Sequence, residues 1–141
     1  VVAILNKTTN EFVSTVGTEV TGEDAVGVIL DVSNFYAESG GQIYDTGVIV
    51  SGSSSFRVEK VLAFGGFVTH IGIVTQGGIS VGDAVTLKVD YTRRTPIAAN
   101  HTTTHQLNWC LRQALEREKP DSFVEVNQKG SLVTEDMLRF D

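Results

Sequence analysis

A single cysteine, Cys110, leaves no partner for an internal disulfide and fits a reducing compartment. No stretch approaches about 18 apolar residues free of charges or breakers, which excludes a membrane-spanning helix. Basic residues are in deficit: 11 Lys and Arg stand against 17 Asp and Glu, for a formal charge of −6 and a pI of about 5.0. That balance argues against a broadly cationic surface for nucleic acid. The chain has no initiator Met and no basic-then-apolar leader, and it closes on the strand-like Leu138-Arg139-Phe140-Asp141. Both ends read as cuts within a longer polypeptide. What is present is ordinary for a soluble globular domain: 141 residues, 41 % apolar and 20 % charged. A chain of this size buries roughly two-thirds of its unfolded surface. Val, Ile, Leu and Phe are too frequent for global disorder.

Charge is unevenly spread. Val1 to Asp45 holds one basic residue, Lys7, and seven acidic ones. Lys88 to Lys119 holds six basic residues (Lys88, Arg93, Arg94, Arg112, Arg117, Lys119) and three acidic ones. Charge alone neither demonstrates nor excludes a polynucleotide partner.

The first ninety residues read as short strands. Val1-Leu5, Phe12-Val16 and Val26-Val32 are β-branched runs separated by turn residues such as Asn6, Asn10 and Gly22. Gly47-Val50 and Phe56-Phe64 flank the flexible Ser51-Gly52-Ser53-Ser54-Ser55 connection. Gly65-Gly66 then joins Phe56-Phe64 to Phe67-Thr75 as a two-residue hairpin turn. Ala84-Val89 is a last strand. Turns spaced about 8–12 residues apart suggest a small antiparallel β-barrel over residues 1–90.

The pattern changes at Tyr91. Thr95 reads as an N-cap and Pro96 as the first helical residue, with the helix running to about Lys119 before Pro120. Leu107, Leu111, Ala114 and Leu115 form a stripe expected to face a core. Phe123-Val126 and Leu132-Val133 then read as strands around Asn127-Gln128-Lys129-Gly130-Ser131. The fold class is α+β: a barrel module over 1–90, followed over 91–141 by a long helix and the N-terminal part of a mixed helix-and-sheet module.

Two of three histidines, His101 and His105, sit four apart on this helix. At about 100° per residue they share one face, one turn apart, where two imidazoles can reach one metal ion. With His101 as the origin, helical rotation puts Thr104 at ~300°, Asn108 at ~340°, His105 at ~40° and Arg112 at ~20°. Two solvated surface histidines are the alternative. Cys110, about 180° away, cannot join the pair and reads as a small buried hydrophobe. Zinc wants at least three protein ligands, and the helix supplies two. His70 is a distant third candidate. His-Thr-Thr-Thr-His lacks the glutamate base of a zincin.

Asn34-Phe35-Tyr36-Ala37-Glu38-Ser39-Gly40-Gly41-Gln42 is richer than a turn requires. Gly40-Gly41 lets backbone N–H groups approach a ligand closely, or makes a plain glycine bulge. Phe35 to Gln42, then His101 to His105, then Gln128-Lys129-Gly130-Ser131-Leu132-Val133, together resemble the editing domain of alanyl-tRNA synthetase in order and spacing. Arg139-Phe140-Asp141 continues the likeness. Free-standing alanyl-tRNA editing proteins and the editing domain of threonyl-tRNA synthetase share the pattern more loosely.

The resemblance implies a cytoplasmic hydrolase that clears serine or glycine mischarged on the acceptor end of tRNA(Ala), within an ATP-dependent alanine–tRNA ligase. It implies zinc, with His101 and His105 as two ligands and a later Cys-x-x-x-His, past Asp141, as the other two. Partners would be the tRNA and the rest of the synthetase chain, with no membrane. Thr104 is expected to hydrogen-bond the serine hydroxyl and Gln128 to hold substrate beside the helix. Gly40, Gly41 and Gln42 are expected to line the substrate pocket. A non-catalytic tRNA-docking module and a free-standing editing protein are the alternative readings.

Overall fold

The computed structural model describes residues 1–20, 26–118 and 128–141. The expected turn at Gly22, the helix stop at Pro120 and the strand Phe123-Val126 lie outside the described residues. The described chain forms two units. One comprises Val1–Ser39 with Tyr44–Tyr91, and the other Gly40–Ile43 with Thr92–Asp141.

Among the described residues the first unit has nine strands: β1 (Ala3–Asn6), β2 (Glu11–Val13), β3 (Thr15–Gly17), β4 (Val26–Ile29), β5 (Gly47–Ser51), β6 (Ser54–Phe64), β7 (Phe67–Gln76), β8 (Gly78–Ser80) and β9 (Thr86–Val89). Seven of them make one antiparallel sheet in the order β2-β1-β4-β7-β6-β5-β9. Among the described residues the expected barrel is not closed, because β2 and β9 are the two ends of this order. The run expected as one strand, Phe12-Val16, explains why. It breaks at Ser14, and its second half leaves the sheet as β3 to pair with β8. What remains as β2 is three residues long, with Phe12 exposed.

The β6–β7 hairpin follows its sequence signal. Phe64 faces Phe67 across Gly65 and Gly66, both at positive φ (59° and 84°), as a two-residue primed turn demands. The Ser51–Ser55 connection is tighter than expected, since Ser51 pairs with Ser54 and only Gly52-Ser53 remain as turn. On β6 the buried residues are Phe56 and Val58, then Val61 instead of residue 60. The extra residue is Glu59, skipped between the Val58 and Lys60 pairs, and this bulge resets the alternation. Phe56, Ile4, Val26, Val28, Ile49 and Val58 belong to one core, almost wholly removed from water.

The second unit carries the helix α1 (Tyr91–Glu118) and a hairpin of β10 (Ser131–Val133) with β11 (Leu138–Phe140). The helix starts four residues before the expected cap, directly after Asp90, so Pro96 lies inside it. Asp90 is itself a favoured N-cap type, and Pro96 forgoes one intrahelical hydrogen bond. Among the described residues, the buried side chains of the helix are Ile97 and Thr104. None of its described side chains after Thr104 is buried. The expected core stripe is therefore not covered: Leu111 and Ala114 are exposed, and Leu107 and Leu115 half-buried. Cys110, expected to be buried, is exposed for the same reason. Helix and hairpin are joined by Asn100 Nδ2, which donates to Thr134 O at 2.9 Å, and by a 2.8 Å ion pair of Arg93 with Glu135. No helix among the described residues is long and apolar enough to cross a membrane.

Candidate functional site

Three β-branched residues in succession, Thr102, Thr103 and Thr104, are poor helix formers. Each is accommodated by donating its hydroxyl to the carbonyl four residues back: Ala98 at 3.0 Å, Ala99 at 2.9 Å and Asn100 at 2.9 Å. The helix therefore runs unbroken through the segment and presents His101 and His105 one turn apart. Their ring centroids are 5.0 Å apart with the planes tilted by 54°. That separation suits two imidazoles sharing one ion at zinc–nitrogen distances of about 2.0–2.1 Å.

The second wall is the segment Gly40–Ile43, which lies along β10. Val133 N–H donates to Gly41 O at 2.7 Å, and Ile43 N–H donates to Val133 O at 3.1 Å. Gln42 thereby sits opposite Val133 in an isolated parallel bridge. Gly41 has φ +82°, and a Cβ there would run into the backbone of Ser131. The close approach that this glycine permits is to its own chain. Gly40, at φ +59°, faces open space, and its carbonyl accepts the Ser131 hydroxyl at 3.2 Å.

This placement brings Gln42 to the helix. Its Oε1 lies 2.7 Å from His101 Nδ1. His101 is half-buried and His105 exposed. Thr104, on the same helix side, is 4 % exposed, and its hydroxyl proton is committed to Asn100 O. Asn108 Oδ1 is buried without a hydrogen-bond partner among the described residues. It is an acceptor that helical rotation alone places on the histidine face, and the sequence pattern gave it no role. Gln128 is exposed, and no hydrogen bond joins it to either histidine among the described residues.

His70 is withdrawn from any such site. It is fully buried, with Nδ1 3.0 Å from Val28 O and Nε2 2.7 Å from Ser33 Oγ. Burial pushes its pKa below the ordinary histidine value, partly countered by the Val28 carbonyl. Among the described residues no group of three or more His, Cys, Asp or Glu could hold a metal ion. The helix pair thus supplies two of the three or four ligands that a zinc ion takes.

Residues 2–93 match the family model for class II (A) tRNA synthetases. The chain is 44 % identical over 135 residues to the cytoplasmic alanine–tRNA ligase of Drosophila melanogaster, covering 94 % of this chain and 13 % of that protein. It is 47 % identical over 116 residues to the mitochondrial alanine–tRNA ligase of Saccharomyces cerevisiae, covering 82 % of this chain and 11 % of that protein. It belongs to the alanyl-tRNA synthetase family. The alanine–tRNA ligase of Candida albicans is similar at 46 % over 116 residues. The chain spans only 11 to 13 % of the length of these relatives. The family model ends at residue 93, before His101, whereas the match to the Drosophila relative covers 94 % of the chain and so takes in the histidine pair.

Proposed function

We propose that this region is the ester-hydrolysing editing part of an alanine–tRNA ligase, acting on serine or glycine mischarged on tRNA(Ala). The observation that carries the reading is the His101–His105 pair on one helix face, with Gln42 bonded to His101. Membership of the alanyl-tRNA synthetase family supports tRNA(Ala) as the nucleic-acid partner. The cytoplasm is the proposed compartment, in keeping with the lone Cys110 and the name of the Drosophila relative.

The aminoacyl ester is already activated, so the site's task is to position water and stabilise an oxyanion. His101 and His105 would hold zinc together with ligands from outside the described residues. Zinc, when bound, supplies a Lewis acid that orients water or the terminal ribose. Thr104 Oγ1 spends its proton on Asn100 O and keeps lone pairs, so a substrate serine hydroxyl would donate to it. An alanine methyl cannot make that bond, which spares the correct product. Glycine lacks the hydroxyl too, so Thr104 accounts for serine clearance alone. Gln128, with Gly40 and Gly41, is proposed to border the substrate.

The reading is tested by offering the full-length protein three esters: Ser-tRNA(Ala), Gly-tRNA(Ala) and Ala-tRNA(Ala). Hydrolysis of the first two with the third spared is expected. Equal rates on all three, or none, contradict it. The second reading is tRNA docking by the 141-residue chain without catalysis. Tight tRNA(Ala) binding by that chain without ester cleavage would support it.

A further inference from the structure

We propose that Gln42 is a positioning residue that fixes the tautomer of His101, placing the proton on Nδ1 and leaving Nε2 as the lone-pair nitrogen. This rests on the reading of His101 and His105 as a ligand pair and assigns Gln42 a task other than touching substrate.

The side-chain atom of Gln42 nearest the ring is its carbonyl oxygen, 2.7 Å from His101 Nδ1. A carbonyl oxygen only accepts, so Nδ1 carries the hydrogen. A neutral imidazole has one N–H, so the lone pair falls on Nε2. A ligand histidine needs that division. One nitrogen offers its lone pair, while the other is tied to an acceptor that orients the ring and raises its basicity.

The backbone explains why Gln42 can do this. Gly41 O and Ile43 N–H are both bonded to Val133, so the residue between them is pinned at each side. Gln42 is itself half-buried, which limits competition from water for its oxygen. The left-handed conformations of Gly40 and Gly41 let the segment lie against Ser131 and deliver the amide to the helix. His105 provides the contrast. It is exposed, and among the described residues its ring has no hydrogen-bond partner that would fix its tautomer.

The chain's three histidines make the test self-referenced. Nitrogen-15 correlation spectra of the histidine-labelled 141-residue chain, at a pH where the imidazoles are neutral, distinguish N–H from lone-pair nitrogens. His70, whose Nδ1 faces the Val28 carbonyl, is the reference for a proton on Nδ1. His101 is expected to match His70, and His105 to show the Nε2–H form that free imidazole side chains prefer in water. Gln42→Glu keeps an acceptor and should preserve the His101 pattern. Gln42→Met and Gln42→Ala remove it and should move the His101 proton to Nε2. In the full-length protein the same two variants should weaken zinc binding about 10-fold or more, read by competition with a chelator. A proton on His101 Nε2 in the unaltered chain overturns the proposal. So does a His101 pattern unchanged in Gln42→Met and Gln42→Ala. The spectra need neither metal nor substrate, so absence of ester hydrolysis would count against the proposed function and leave the tautomer result standing.

Discussion

Ser33 Oγ and His70 Nε2 are 2.7 Å apart, while the opposite ring nitrogen faces the carbonyl of Val28. Carbonyl oxygens only accept, so the proton is on Nδ1 and Ser33 donates to Nε2. The Phe35 ring packs edge-on against this imidazole, with ring centroids 5.3 Å apart, and His70 is fully buried.

A pH dependence follows. In the folded state burial holds the pKa of His70 below the ordinary value of about 6.5. Well above that value the group is neutral folded or unfolded and makes no difference. As pH falls through it, the unfolded chain takes up a proton that the folded chain refuses, so stability declines. The decline ends once pH passes the folded pKa, and it cannot exceed about 1.4 kcal/mol per pH unit. Thermal unfolding between pH 7.5 and 5.5 checks this. His70→Leu should be less stable throughout and lose most of the slope, whereas an unchanged slope would show that other groups cause it.

Gly40 and Gly41 should respond differently to alanine. Both are left-handed, which costs an L residue about 1–2 kcal/mol. Gly40→Ala enters open space and should lose little beyond that. Gly41→Ala also drives its Cβ into the Ser131 backbone and should cost clearly more, with loss of the Val133–Gly41 hydrogen bond. Urea unfolding with amide exchange at Val133 separates the two. Equal losses would mean that the contact with Ser131 is unimportant.

The helix should be sensitive on the face its apolar stripe does not mark. Ile97 is 1 % exposed, so Ile97→Ala should cost about 2–5 kcal/mol. Leu111, at 37 % exposed, should tolerate Leu111→Gln in this chain within about 0.5 kcal/mol. Denaturant midpoints of the two variants give the comparison.

Thr104→Val keeps the shape and deletes the hydroxyl. In the full-length protein, Ser-tRNA(Ala) hydrolysis should fall about 10- to 100-fold, the loss of one buried hydrogen bond to a substrate hydroxyl. Gly-tRNA(Ala) hydrolysis should stay within about twofold. A parallel fall on both substrates would assign Thr104 to packing.

Much of this was legible in the residues. The Gly65-Gly66 hairpin and the strand at Leu132-Val133 form where local chemistry points, and the helix carrying His101 and His105 forms too, although it begins at Tyr91 and not at the Thr95 cap. What misled was the assumption that an apolar stripe finds a cover. Leu111 and Cys110 are spaced like core residues, yet periodicity says nothing of what packs against them. The expected strand Phe12-Val16 divides at Ser14, and its second half, β3, joins a different ladder with β8. Gln42 was legible as part of an unusual segment, but its bond to His101 spans 59 positions, and no local pattern encodes that pairing. Asn108 did carry a signal, since its angle placed it on the histidine face, where its Oδ1 is buried and unpartnered among the described residues.

The central claim is that the histidine pair serves ester hydrolysis, and one measurement reaches it most directly. It is the rate of Ser-tRNA(Ala) deacylation by the full-length protein carrying both His101→Gln and His105→Gln, with alanine attachment to tRNA followed in the same preparation. Deacylation should fall by at least about 100-fold, on the scale of losing groups that position and activate water, while alanine attachment is retained. Deacylation persisting near its original rate, with the chain folded and charging tRNA normally, would contradict the account.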